Sequence, residues 1–408
     1  MAFFPTTKIG TADTFALDAF SRFRTCAPVT LFDSKQIIDG QPQLWAVSSS
    51  FGGAINYNRN RAATSLTASS TVNSQAIRQT KRYFDYQPGK SLRVITTFNF
   101  EAPVTGIRKR IGYFDASNGI FLEQSGFINN IVLRSAVTGT PVDTVISQSA
   151  WNIDRLDGTG PSGYKLDFSK VQILDFDMQW LGAGRIRIGF FMSGSLVYAH
   201  HINNSNSNSA VYMSSPNLPI RAEITNVGAG ASGTMEKICS TVISEGGYDP
   251  KGELFSANRD STAASTSTTA MTPLISLRLK SGDKAVTIIP QNISIVNTSG
   301  GQDYLWALFL NPAVAGSDAA SWTGILSSSV EYDVSRNSSN TLTGGLQLYS
   351  GYVSKTEDNI MLSFPIDAAN TIGVDVNGVS DQLVLAAKVV TGASAQNLLS
   401  AITWRELV

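Results

Sequence analysis

The chain has 408 residues, and its 31 Lys plus Arg balance 31 Asp plus Glu, so the formal net charge is zero. Only 15% of residues are charged and 42% are hydrophobic. That composition excludes a disordered tail and argues against non-specific nucleic-acid binding through phosphate neutralisation. No run of about 18 apolar residues occurs, so no membrane-spanning helix is expected.

Residues 1–30 read as an N-terminal arm. The opening, MAFFPTTKIGTADTF, lacks the basic region and apolar core of a secretory signal, so synthesis without secretion is expected. Phe15, Phe20 and Phe23 fall at helical spacing within 14–24 and predict a short helix, with Thr14 as its N-cap. Its phenylalanines need burial against the domain or a neighbouring subunit, which makes them candidate oligomer contacts. Cys26 and Cys239 are too few for a disulfide framework and are expected as free thiols.

Residues 31–246 read as one large β domain. Strands are expected at 92–100, 108–115, 120–126, 128–137, 144–151, 218–226 and 235–244, divided by Gly, Asn and Pro. The clearest passage is 172–202. Phe176, Met178 and Trp180 alternate with Asp175, Asp177 and Gln179, and Ile186, Ile188 and Phe190 alternate with Arg185, Arg187 and Gly189. A short loop at Gly182–Gly184 predicts Trp180 opposite Ile186, Met178 opposite Ile188 and Phe176 opposite Phe190. A second turn at Ser193–Gly194 would place Phe190 opposite Val197 and Ile188 opposite Ala199. Residues 247–272, rich in Ser, Thr and Ala, read as a flexible linker. Residues 273–408 read as a second sandwich, with strands at 274–280, 285–290, 303–310, 343–353, 359–364, 381–389 and 400–407. The expected class is all-β, with two antiparallel, jelly-roll-like β-sandwich domains behind a short arm.

The search for chemistry yields few candidates. There is no G-x-S-x-G elbow and no phosphate-binding glycine loop. His200 and His201 are adjacent in a strand and point to opposite faces, His201 inward and His200 outward on the expected register, so they cannot chelate one metal. Asp175 and Asp177 share a strand face with Arg185 and Arg187 beside them, which reads as solvated cross-strand charge pairing. With Asp154 and Glu123 they are the best carboxylates for an enzyme, such as a polysaccharide depolymerase. Asp154 and Asp157 would be candidates for a Ca²⁺ loop, but their spacing does not match the EF-hand pattern. The basic runs 78–82 and 108–110 read as strand-face or subunit-contact charges. Trp45, Trp151, Tyr212, Asn204 and Asn206 are the candidate glycan or partner contacts. No catalytic residue, cofactor or resident metal is expected.

The segments RYFDYQPGK (82–90), RKRIGYFDASNGIF (108–121), SAWNIDRLDGTGPSG (149–163), WLGAGRIRIGF (180–190), YMSSPNLPIRAEI (212–224) and CSTVISEGGY (239–248) resemble a family of virion structural proteins of tailed bacteriophages and large DNA viruses. ALDAFSRFRTCAPVTLFDSKQ (16–36) and ITWREL (402–407) resemble it too. The resemblance covers nearly the whole chain. It implies a lectin-like jelly roll of the concanavalin and laminin-G type and a virion location after synthesis in host cytoplasm. It also implies partners among copies of the chain, with a trimer favoured, and among capsid or tail proteins. The alternative it leaves open is an adhesin for host surface glycans.

Overall fold

Alternating apolar residues build two stacked pairs of antiparallel sheets. The computed structural model describes residues 27–228, 230–260, 262–299, 302–354, 357–361, 372–392 and 394–408. The arm residues Phe15, Phe20, Phe23 and Cys26 lie outside them. Among the described residues there is no α-helix, only two 3-10 turns at Arg59–Arg61 and Gln148–Ala150.

The first sandwich packs an eight-stranded sheet on a seven-stranded one. The larger sheet runs Ser195–Asn203, Arg185–Met192, Gln172–Met178, Leu92–Asn99, Gly233–Ser244, Ala63–Ala68 and Ala54–Asn58, and Val29–Ser34 also pairs with Gly233–Ser244. The smaller runs Val142–Ser147, Ile128–Ser135, Gly119–Ser125, Ile107–Phe114, Ile220–Asn226, Gln75–Thr80 and Trp45–Ser50. Strands distant in sequence lie side by side, as a jelly roll requires. Every second residue points inward. Val94, Phe98, Leu174, Phe176, Ile188 and Phe190 thereby meet Ile111, Tyr113, Leu122, Ile131, Ile220 and Ile224 in one core.

The second sandwich packs a five-stranded sheet (Glu253–Asn258, Gln396–Leu407, Thr287–Asn297, Glu357–Met361, plus Ala264–Thr266 on Gln396–Leu407) on a six-stranded one. The latter runs Thr323–Gly324, Val330–Asp333, Thr272–Leu279, Gln382–Val389, Asp303–Leu310 and Leu346–Ser354. Leu277, Ile293, Trp306, Leu385, Ile402 and Trp404 centre its separate core. The two sandwiches touch through ion pairs from Lys81 to Asp381 (3.2 Å) and from Lys284 to Asp115 (2.7 Å). Tyr83 from the first half packs into the second core.

Three expectations are corrected. Residues 247–272 are not a free linker for most of their length. Glu253–Asn258 and Ala264–Thr266 pair with Gln396–Leu407, and Phe255 stacks on Trp404 at 6.5 Å. The Arg259 guanidinium pins the stretch by donating to the carbonyls of Leu274, Val334 and Arg336 at 2.7–2.8 Å. Threonine suits a strand as well as a loop, so composition could not separate the two.

The 172–192 hairpin is displaced by two residues from the expected register. Met178 lies opposite Ile186, Phe176 opposite Ile188 and Leu174 opposite Phe190. A shift of two preserves the faces, so the same apolar set stays inside. Trp180 leaves the ladder instead, donating its indole N–H to the Met213 carbonyl (3.1 Å) with its ring edge against Tyr86. Gly184 makes this turn possible, because a Cβ there would fall 2.4 Å from the Gln179 carbonyl oxygen.

The third correction concerns the histidines. Phe190 does lie opposite Val197, but a bulge between Ile188 and Gly189 puts Ile188 opposite His200 rather than Ala199. The extra residue flips the pair. His200 is buried, its Nδ1 accepting from the Asn152 N–H at 3.1 Å, and His201 is half-buried beside Tyr198.

Candidate functional site

The polar residues singled out in 172–202 converge on the outer face of the larger sheet. Asp177 lies opposite Arg187 on one side and Arg93 on the other. Asp175 lies opposite Gly189, whose neighbour across the next pair is Tyr198. Glycine is required there, since a Cβ would come within 3.2 Å of the Tyr198 ring and 2.9 Å of the Val197 carbonyl oxygen. Asp177, Arg93, Arg187 and Tyr198, with Ser91, Gln179, Arg185, Leu196 and Glu245, border a cleft of about 600 Å³, and Asp175 lies beneath it.

The cleft is internally paired. Arg93 Nε donates to Asp175 Oδ1 at 2.6 Å, and its Nη1 lies 3.5 Å from Glu245. Arg187 and the Ser91 hydroxyl both donate to Asp177. The Arg187 guanidinium also covers the Tyr198 ring at 5.1 Å. Asp175 is fully buried, and its Oδ2 has no hydrogen-bond partner. Burial pushes its carboxyl above the usual range, against the opposing pull of Arg93. Burial, then Arg185 and Arg187, push the His201 imidazole down, so it is neutral near pH 7. The solvated charge pairs expected here are therefore ion pairs of buried carboxylates with half-buried arginines.

Two carboxylates two residues apart on a strand are roughly 6–7 Å apart, a spacing at which acid–base work on a glycosidic bond is geometrically conceivable. Asp175 lies wholly beneath its neighbours, and Asp177 is held by Arg187 and Ser91. The other enzyme candidates are equally committed. Glu123 accepts from Arg110 Nε at 2.7 Å. Asp154 accepts the N–H groups of Leu156 (2.8 Å) and Ser162 (2.7 Å), which lowers its carboxyl pKa and closes the 154–162 loop. Asp157 similarly takes the N–H and hydroxyl of Thr159. Among the described residues no three His, Cys, Asp or Glu side chains group as a metal site.

Four of the five expected glycan contacts are inside the protein. Trp45 is buried and donates to Ser34 Oγ at 3.0 Å. Trp151 stacks on Phe190 at 6.0 Å. The Tyr212 hydroxyl donates to the Gln179 carbonyl at 2.8 Å, and Asn204 Nδ2 to the Gly184 carbonyl at 2.7 Å. Asn206 alone is exposed, in the left-handed turn of its loop (φ 58°). The basic runs are likewise not surface charge. Arg78 and Lys237 flank the Trp45 ring at 4.7 and 4.5 Å, and Lys109 Nζ donates to the carbonyls of Phe100 and Ala102.

A second cleft was missed. At one end of the first sandwich, Pro103, Gln124, Phe127, Asn129 and the 165–169 loop surround about 480 Å³. Its one sequence signal was Phe127, an aromatic at the tip of a Gly126 turn.

No protein-family model matches the chain, and neither does any curated protein sequence. Among solved structures it is similar to a protein of unknown function from Shewanella oneidensis, at 11% identity and TM-score 0.36, covering 55% of this chain and 90% of that one. It is also similar to a legume lectin-like domain from Entamoeba histolytica, at 12% identity and TM-score 0.32, covering 52% and 97%. A Bacillus licheniformis β-glucanase matches at 10% identity and TM-score 0.33, covering 52% and 96%. The all-β class is shown by the antiparallel sheets themselves, with no α-helix among the described residues.

Proposed function

We propose that the chain is a non-catalytic structural component of a virus particle, on the capsid surface or in the tail, assembled through copies of itself and other particle proteins. One observation carries this reading: the polar residues of the segments that resemble virion proteins are spent on holding the fold. Asn118 bonds Ser214, the Tyr113 hydroxyl bonds the carbonyls of Phe84 and Pro216, and Asn217 accepts the Tyr86 N–H. The candidate catalytic carboxylates are engaged by arginine or backbone in the same way. Zero net charge favours the same role, since identical copies then pack without long-range repulsion. Mass spectrometry and electron microscopy of purified particles of the encoding virus test it. The chain is expected as a stoichiometric component, and its absence overturns the reading.

A second reading, an adhesin for surface glycans, is favoured by the Phe127 cleft, which is open, part apolar and lined with amides.

A further inference from the structure

We infer that the cleft at the open end of the first sandwich binds a neutral pyranose, with Phe127 as its stacking platform and Gln124 as its buried polar anchor. This rests on the adhesin reading and not on the particle reading. The walls come from different parts of the chain. Gln124 and Asn129 face each other across the hairpin Gly119–Ser125 and Ile128–Ser135, and the 165–169 loop lies opposite.

The lining is two-sided. Phe127, 71% exposed on the hairpin tip, joins Pro103, Leu166 and Phe168 as the apolar part. Ile128 beside it is 61% exposed, so the hairpin tip presents a contiguous apolar patch next to the cavity. The polar part is built inward from the rim. The row Lys109, Gln124, Asn129, its first two members buried and Asn129 half-buried, crosses the inner face of the sheet beside the apolar Ile107, Ile111, Leu122 and Ile131. Lys109 is tied to backbone carbonyls, Gln124 Nε2 donates to Asn129 Oδ1 at 3.3 Å, and Asn129 Nδ2 donates to Gln148 Oε1 at 3.1 Å. That leaves Gln124 Oε1 as a buried acceptor with no partner, on a side chain only 4% exposed. A native protein satisfies nearly all such atoms, so an unfilled one on a cavity wall points to a donor that arrives with a ligand.

The occupant's chemistry follows. It needs an apolar face for the ring, a hydroxyl to donate to Gln124, and no net charge, because Lys165 and Asp167 contribute opposite signs to the lining. It must also fit about 480 Å³, within the ordinary range of small-molecule sites. A pyranose, with its apolar C–H face and hydroxyl edge, meets all of these.

The test is isothermal titration of the full chain with methyl β-D-galactoside, methyl α-D-glucoside and cellobiose. Saturable binding of at least one is expected with a Kd on the order of millimolar, as suits a ligand of about a dozen heavy atoms. Phe127→Ala, at an exposed turn position, is expected to weaken it about three- to tenfold. Gln124→Met, which keeps the volume and removes the acceptor, is expected to weaken it similarly, and Tyr198→Phe in the other cleft to leave it unchanged. Circular dichroism and melting of each variant confirm that it is folded. Binding that survives both Phe127→Ala and Gln124→Met overturns the site but leaves the adhesin reading standing. No saturable binding of any probe overturns both.

Discussion

Two clusters of Arg, Asp and Glu lie on the outer faces of the two sheets of the first sandwich, and they differ in how well burial is matched by donors. On the seven-stranded sheet, Glu223 accepts from Arg110 Nη1 at 3.0 Å through one oxygen and from Arg221 Nε at 2.9 Å through the other. Arg110 also holds Glu123, and the guanidinia of Arg110 and Arg221 lie over Phe121 and Phe114. Despite full burial, those two arginines bring the Glu223 carboxyl down to about 2. On the eight-stranded sheet, Asp175 is just as buried but has one arginine and one orphaned oxygen, and its carboxyl moves up. Two buried carboxylates, each beside arginine, therefore shift in opposite directions. The deciding quantity is the number of donors per buried oxygen, because burial penalises the ion in both places.

The sharpest way to break this comparison is Glu223→Ala, which strands two arginines. Denaturant unfolding is expected to lose about 3–5 kcal/mol. A loss under about 1 kcal/mol would mean that the ladder is ornamental.

Acid titration follows from the same pair. A carboxyl depressed from 4.5 to about 2 contributes stability that is fully present above pH 4.5 and lost as pH falls toward 2. The loss is about 3.5 kcal/mol at most, from the 1.4 kcal/mol carried by each pKa unit. The pH slope of unfolding over that window should flatten in Glu223→Gln. An unchanged slope would assign the acid lability to other groups.

Lys237 extends the comparison to a buried cation with no carboxylate in contact. Its Nζ lies over Trp45 and reaches the Ile238 carbonyl at 3.3 Å, and burial, then Arg78, push its pKa well below the ordinary lysine value. A depressed lysine penalises the fold as pH drops below 10.5, so Lys237→Met is expected to raise stability at neutral pH by about 1–3 kcal/mol. A lower melting temperature would show that the cation–aromatic contact outweighs desolvation.

The smallest effect is expected for Asp175→Asn. The wild-type carboxyl is raised, so the charged form costs the fold stability as pH climbs through the carboxylate range. Removing the charge offsets the lost Arg93 pair, and Arg93 retains Glu245. Thermal unfolding at pH 7 is expected to change by less than about 1 kcal/mol. A loss as large as that of Glu223→Ala would erase the distinction between the clusters.

Most long strands were legible because period-two apolar patterns carry them. The hairpin 107–125 and the strands Ile220–Asn226, Asp303–Leu310 and Gln382–Val389 fall within a residue or two of expectation. The strands Val29–Ser34, Trp45–Ser50, Ala54–Asn58, Ala63–Ala68 and Gln75–Thr80 were not read, because several are rich in Ser, Thr and Asn with little apolar alternation. Site residues were the least legible. Trp45, Trp151, Tyr212 and Asn204 belong to residue types that serve core and surface alike, and only burial separates the two uses.

The alternating strands by themselves determined an all-β protein in two sandwiches, since the side-chain period of two places one face of each strand in a core. The tertiary structure alone decided where the charges lie. Inside or beneath a sheet each carboxylate meets the donors that strands distant in sequence bring to it, and neither a bulge such as that at Ile188–Gly189 nor the orphaned oxygens of Asp175 and Gln124 can be read from neighbours along the chain.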